Sequence, residues 1–184
     1  LFRSVSLITG AARGIGAEIA RRFHAEGAAV FLGDINSALG EKTAGEMDGA
    51  VFLTLDVASE ESWKAAFAVI LAGTGRLDIL VNSAALDPKF DPQHVGAASS
   101  SGAFEDFPLQ AWNQALAVNL TGAFLCCQAA AEPMLKQGGG VMINLSSIYG
   151  LVGPDQRLYQ QPGKPPKFKP AYYSVTKAGI LGLT

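Results

Sequence analysis

The stretch that most constrains the fold lies at the start of the chain. Val5-Ser6-Leu7-Ile8-Thr9 is a short, apolar, β-branched run that stops at Gly10, and a helical pattern takes over at Gly14. A strand apolar along its whole length is what a parallel sheet buries on both faces. Between strand and helix lies Thr9-Gly10-Ala11-Ala12-Arg13-Gly14-Ile15-Gly16. Glycines in that context let the backbone approach a pyrophosphate, and the helix N-terminus offers it free N–H groups. Three glycines alone make only a tight turn, but here the flanking strand and helix point to dinucleotide binding. The spacing is G-x-x-x-G-x-G rather than G-x-G-x-x-G. Gly10, Arg13, Gly14, Ile15 and Gly16 are the candidate contacts.

The alternation continues down the chain. Ile15, Ile19, Ala20 and Phe23 mark one face of the first helix, which Gly27 closes. Ala29 to Gly33 reads as a strand ending at Asp34, residues 38–47 as a helix, and Val51 to Leu55 as a strand ending at Asp56. Glu60 to Leu71 is helical behind a Ser59 cap, with Trp63, Phe67 and Ile70 on one face, and Leu77 to Val81 is a strand ending at Asn82. Asp87-Pro88, Asp91-Pro92 and Ser99-Ser100-Ser101-Gly102 then break all periodicity. A long helix is expected over 109–136, with a bend at Pro133, followed by a strand from Val141 to Leu145. Five prolines make 150–170 irregular, and a last helix opens at Ala171. Apolar strands alternating with helices imply one α/β domain over 1–184, a doubly wound parallel sheet whose ligands bind at the strands' carboxyl ends. Those ends carry Gly10, Asp34, Asp56, Asn82 and Ser146-Ser147.

Composition excludes several classes. Fourteen Lys and Arg against sixteen Asp and Glu leave a net charge of −2, so no basic footprint for nucleic acid exists. Cys126 and Cys127 are adjacent, and His24 and His94 stand far apart, so neither a disulfide framework nor a zinc-ligand spacing can be built. Charges, Gln or Pro interrupt the apolar stretches before the ~20 residues of a membrane span. The expectation is a soluble protein of a reducing compartment, the cytoplasm, with no metal.

Polar residues at the strand ends and on the later helices carry the candidate chemistry. Asp34 ends the second strand, where a carboxylate accepts hydrogen bonds from ribose hydroxyls and repels a 2′-phosphate, favouring NAD over NADP. Arg13 pulls the other way, since a guanidinium can pair with that phosphate. Asp56, in Asp56-Val57, either contacts the adenine amino group or caps the next helix. Tyr173 and Lys177 lie four apart on one helix face, where the cation stabilises phenolate and lowers the tyrosine pKa toward neutrality. Such a tyrosine is a general acid or base for an alcohol and carbonyl pair, though the same spacing also occurs on solvated helices. Tyr172, offset by five from Lys177, turns away. A hydroxyl of Ser146-Ser147 can hydrogen-bond a carbonyl oxygen or merely cap a turn. Asn119, a poor helix former in mid-helix, suggests an internal hydrogen-bonding task.

Together these residues resemble the short-chain dehydrogenase/reductase family, in its single-domain members with TGxxxGxG and YxxxK motifs, over essentially the whole chain. The resemblance implies a Rossmann-like sheet of strand order 3-2-1-4-5, with Thr9 to Gly16 as cofactor loop and Asp56 and Val57 at the adenine. It implies Asn82 and Ala84 as further cofactor contacts, although Asn82-Ser83-Ala84-Ala85 keeps only part of the family's N-N-A-G. It also implies a catalytic set of Asn119, Ser147, Tyr173 and Lys177, the last two touching cofactor as well. The serine orients the carbonyl, the tyrosine exchanges a proton, the lysine holds the ribose and tunes the tyrosine, and the asparagine keeps a water for relay. The expected activity is hydride transfer between NAD(H) and a secondary alcohol or ketone. An NADP-dependent reductase of 3-oxoacyl-type carbonyls and a non-catalytic dinucleotide-binding module are the alternatives.

The resemblance also implies two further strands and a lid beyond this last helix, which do not follow Thr184, and a homotetramer or homodimer built on the long and last helices; Cys126 and Cys127, on the long helix, read as packing residues. Between Ser147 and Tyr173 the chain is longer than usual. Its insert holds Arg157, Lys164, Lys167 and Lys169, a basic loop that either binds an anionic substrate or is simply solvated.

Overall fold

The computed structural model describes residues 3–87 and 102–184. In chain order the elements are β1 (Val5–Thr9), α1 (Gly14–Ala25), β2 (Ala29–Asp34), α2 (Ser37–Ala44), β3 (Val51–Thr54), α3 (Glu60–Thr74), β4 (Ile79–Asn82), α4 (Leu109–Leu116), a π-helical turn (Ala117–Thr121), α5 (Gly122–Lys136), β5 (Val141–Asn144), short 3-10 turns at Ile148–Gly150 and Gln156–Tyr159, and α6 (Ala171–Leu183). They group into two compact units. One comprises Leu1–Ala84 and Gly122–Leu145, the other Ala85–Thr121 and Ser146–Thr184.

The first unit is the sheet with α1, α2, α3 and α5. All strands run parallel in the order β3-β2-β1-β4-β5, the 3-2-1-4-5 arrangement anticipated from the sequence. β1 is central and buried at every residue. Ile8, Val30, Leu32, Ile79 and Val81 face one way and pack on Ile19, Ala20 and Phe23 of α1 and on Ala44 of α2. Alternation sends Leu7, Phe31 and Leu80, also buried, to the other face. There α3 packs on α5 and β3, and α5 packs on β4. The expected burial on both faces fails at β5, where Val141 and Ile143 are exposed at this sheet's edge.

The local grammar of α3 is explicit in its residues. Ser59 accepts the N–H of Ser62, Glu60 and Glu61 sit in the first turn, and Gly75 closes the helix in the left-handed conformation. Trp63 turns its indole inward and donates to the Val57 carbonyl at 2.9 Å. The helix runs to Thr74, three residues beyond the sequence pattern, because Gly73 is tolerated near its end and Gly75 supplies the stop.

The second unit is built on α6, which packs against α4, the π-helical turn and the 3-10 turn at Ile148–Gly150. Its core gathers Leu86, Ala115 and Tyr172, with Phe107, Trp112, Val118 and Tyr173 around them. The irregular stretch expected after β4 falls largely on residues 88–101, His94 included, which lie outside the described residues.

The expected long helix is helical throughout 109–136 but divides at the π-helical turn, and Pro133 sits inside α5 without ending it. Among the described residues this run, Leu109–Lys136, is the one long and apolar enough to cross a membrane by length and composition. The expectation that polar residues break every such stretch does not hold for it. Gln, Asn and Thr lower the mean hydropathy only modestly, and charge enters at Glu132 and Lys136. Buried Ala115 and Asn119 in one unit and Cys126 and Ala130 in the other show much of the run spent on protein packing.

Trp63→Phe removes the donor that the buried Val57 carbonyl uses. In the full-length protein it is expected to cost about 1–3 kcal/mol, read as a lower urea midpoint at unchanged slope.

Candidate active site

In the first unit the glycine loop is shaped by contacts that leave no room for side chains. Gly10 has φ 65°, and a Cβ there would stand 2.7 Å from the Cα of Ala84. A Cβ on Gly16 would fall on the carbonyl oxygen of Gly10. Thr9 ties the loop to the end of β4: its hydroxyl accepts the N–H groups of Ser83 and Ala84, each at 3.1 Å. Ala12 is fixed at both backbone groups, its N–H donating to Asp34 Oδ2 at 3.0 Å and its carbonyl accepting from Thr43 Oγ1 at 2.8 Å. Arg13 is the N-cap of α1 with extended backbone, and that N-terminus carries neither a side-chain cap nor an acidic residue in its first turn. Uncapped N–H groups at a positive helix end, bare Gly14 with nothing near its Cβ position, and exposed Ile15 fit an anionic dinucleotide.

Asp34 does more than the sequence suggested. Besides holding Ala12, it accepts the Asn36 N–H at 2.9 Å through Oδ1, so the carboxylate is oriented by backbone on both oxygens. Asp56 accepts the Ala58 N–H at 2.9 Å and does not cap α3, a role that Ser59 fills. Asn82 is buried; its amide donates to Asn144 Oδ1 at 2.8 Å, with Cys127 Sγ 3.3 Å away, and its own Oδ1 has no hydrogen-bond partner among the described residues. Cys126 packs in the interior as expected, whereas Cys127 joins this polar cluster. Burial pushes both thiols up.

The second unit assembles Asn119, Ser147, Tyr173 and Lys177. Asn119, on the π-helical turn, is buried and spends its whole side chain on Leu86, accepting the N–H at 2.6 Å and donating to the carbonyl at 3.1 Å. A π-turn inside a helix commonly marks such a functional insertion. Ser147 caps the following turn by accepting the Tyr149 N–H at 3.2 Å, and its hydroxyl lies near enough to the Tyr173 phenol to favour phenolate. Ser146 instead donates to the Lys177 carbonyl at 2.7 Å. Tyr172 is fully buried against Phe107, leaving Tyr173 as the half-buried phenol. Lys177 is buried one turn on, its Nζ 5.9 Å from the Tyr173 ring centre.

The expected lowering of the tyrosine pKa is corrected here. Burial raises the Tyr173 phenol above its ordinary value and the Asp87 carboxylate adds to that, while the nearby Ser147 hydroxyl works the other way. Burial likewise lowers Lys177. The basic insert is also partly spent. Arg157 pairs with Asp155 at 2.6 Å and Lys169 with Asp87 at 2.7 Å, whereas Lys164 and Lys167 are exposed and form no ion pair among the described residues.

The profile of the short chain dehydrogenase family matches residues 4–184. The chain belongs to the short-chain dehydrogenase family. A 3-alpha-(or 20-beta)-hydroxysteroid dehydrogenase of Mycobacterium tuberculosis is 40% identical over 154 residues, 83% of this chain and 55% of that protein. The D-threitol dehydrogenase of Mycolicibacterium smegmatis is 36% identical over 184 residues, covering 98% of this chain and 61% of its own length. The crystal structure of gox2181 superposes with a TM-score of 0.83 at 27% identity, covering all of this chain and 64% of that one. The chain thus spans less than two thirds of the relatives it matches.

Several residues of this short-chain dehydrogenase's candidate site went unread in the sequence. Thr43, Asn144, Asp87 and Lys169 act across 17 to 82 positions of chain, beyond the reach of any local pattern. Tyr149, next to the serine pair, could have been found from its aromatic character alone. Asn119→Ala strands both backbone groups of Leu86 in the interior. It is expected to destabilise the protein by roughly 2–4 kcal/mol, whereas Asn119→Asp, keeping the acceptor, should cost less in the same thermal melt.

Proposed function

We propose that the protein is an oxidoreductase that moves a hydride between NAD(H) and a secondary alcohol or its ketone, with Tyr173 exchanging the proton. One arrangement carries this reading: the half-buried phenol of Tyr173 near the Ser147 hydroxyl, with a buried ammonium one helical turn away at Lys177. The nicotinamide, when bound, supplies the hydride acceptor or donor. Gly10, Gly14, Gly16 and the N-terminus of α1 are the groups to hold the pyrophosphate, and Asp34 the ribose.

Tyr173 gives or takes the proton at the substrate oxygen. The Ser147 hydroxyl donates to that same oxygen and orients it. Lys177 favours phenolate and so offsets what burial and Asp87 impose on Tyr173. The Asn119 side chain holds both backbone groups of Leu86 and so fixes the π-helical turn beside α6. The relatives named for hydroxysteroids and threitol support a secondary hydroxyl as the substrate class.

Asp34 supports NAD as the nucleotide, because a carboxylate there repels a 2′-phosphate. Fluorescence titration of the full-length protein is expected to show tighter binding of NADH than of NADPH. Asp34→Ala also cuts the Ala12 anchor, so both affinities should fall; the readout is their ratio, expected to move toward NADPH. An unmoved ratio counts against Asp34 as selector. Tyr173→Phe is expected to lower alcohol oxidation by about a hundredfold or more with NADH affinity retained. Binding with no turnover in the wild type would instead favour a non-catalytic dinucleotide module.

A further inference from the structure

The segment from Asp155 to Pro170 folds back on Tyr173 along two routes. Asp155 starts it by accepting the N–H of Arg157 and pairing with its guanidinium. Gln156 then clasps the backbone of Lys169 at both groups, donating to its carbonyl at 3.0 Å and accepting its N–H at 2.9 Å. That clasp delivers the Lys169 ammonium to a point 3.7 Å from the Tyr173 ring centre. The same ammonium meets Asp87 Oδ2 at 2.7 Å, and the two side chains are only 10% and 19% exposed. On the second route the Tyr159 hydroxyl donates to the Tyr149 hydroxyl at 2.9 Å, and the Tyr149 ring meets that of Tyr173 edge-on at 6.4 Å.

A desolvated ion pair resists separation, because parting it leaves an uncompensated buried charge. A phenol with such a cation on its face therefore cannot swing away without disturbing the pair. We propose that Lys169, anchored by Asp87 and by the Gln156 clasp, is a positioning residue for Tyr173: it pins the ring, and its charge balances that of Asp87 at the proton-exchanging oxygen. This inference rests on Tyr173 being the group that exchanges the proton. The groups facing Tyr173 are Lys177 on its own helix, Ser147 and Tyr149 from the turn after β5, Asp87 from beyond β4 and Lys169 from the insert, with Tyr159 behind Tyr149. The two charges act on the phenol with opposite sign. The cation favours phenolate and the carboxylate disfavours it.

The test uses the full-length protein with tyrosines carrying a carbon-13 label at Cζ, the Tyr173 signal being assigned by its loss in Tyr173→Phe. Its ionisation is followed by NMR, beside the pH profile of kcat and KM for alcohol oxidation. Lys169→Met is expected to move the Tyr173 ionisation upward by about one pH unit, tenfold in phenolate at fixed pH, and to lower kcat more than it alters KM. Asp87→Asn should move it downward, and Lys169→Arg should stay near wild type. Coincident titrations in wild type and Lys169→Met, or shifts of the same sign in Lys169→Met and Asp87→Asn, overturn the proposal. Should Lys169→Met not fold, Gln156→Ala, which changes no charge, is expected to lower kcat roughly tenfold by loosening the ring, and an unchanged kcat overturns it. A wild type without turnover overturns the oxidoreductase reading alone, and the NMR titration then still decides whether Lys169 acts on Tyr173.

Discussion

The close approach of the ends of β1 and β4 at Thr9, Gly10 and Ala84 is the constraint on which the first unit depends. A Cβ at Gly10 would strike Ala84, and the hydroxyl of Thr9 accepts the backbone N–H groups of Ser83 and Ala84 at the end of β4. Parallel strands leave such groups at their carboxyl ends because each chain segment must turn away into a helix. Here one side chain stitches two strand ends together, and the α1 N-terminus that follows the loop carries no side-chain cap. Asp34 and Thr43 complete the arrangement by holding Ala12 from either side. The backbone of the loop is therefore set by the protein, which lowers the ordering cost of binding an anion there.

The second unit solves a different problem, that of keeping ionisable groups out of water. Lys177, Asp87 and Lys169 are largely buried around Tyr173. Desolvation alone disfavours phenolate on Tyr173 and ammonium on Lys177. Asp87 opposes the first of these charges and supports the second, so neither lysine can be understood without the carboxylate. A stable protein would more cheaply fill this space with apolar side chains. The retention of a charge cluster here is the kind of local violation that function, rather than folding, explains.

Much of this was legible in the chain. Strand and helix positions followed from apolar runs, from glycine stops and from Ser59, because these signals act within a few residues of what they punctuate. Ends drifted where the physics is tertiary: β3 stops at Thr54 although Leu55 is apolar, because pairing with β2 ends at Asp34. The glycine loop, Asp34 and the Tyr173 and Lys177 pair were readable as motifs. What could not be read was which partner each side chain would take. Asn119 was rightly suspected of an internal task, yet only the fold shows that Leu86 receives it. The direction of the Tyr173 shift was misjudged because helical spacing to Lys177 says nothing about burial or about Asp87, which arrives from far along the chain.

The insert shows how composition can mislead about role. Four cations and several prolines within some sixteen residues suggest a solvated basic loop, and periodicity offers no alternative. Proline, however, removes donors and fixes backbone angles, so a proline-rich segment can hold a definite path with few hydrogen bonds of its own. In this one the side chain of Gln156 grips Lys169 at both backbone groups, that of Gln160 donates to the carbonyls of Gln156 and Lys167, and the 3-10 turn also carries Tyr159. Pro170 then stands at the N-cap of α6, so the residue before it is held extended immediately ahead of the helix that bears Tyr173. The long cation is thereby brought to the ring by backbone geometry, and its charge is balanced by a carboxylate from another part of the chain. What composition presents as a surface feature is, at Lys169, part of the interior.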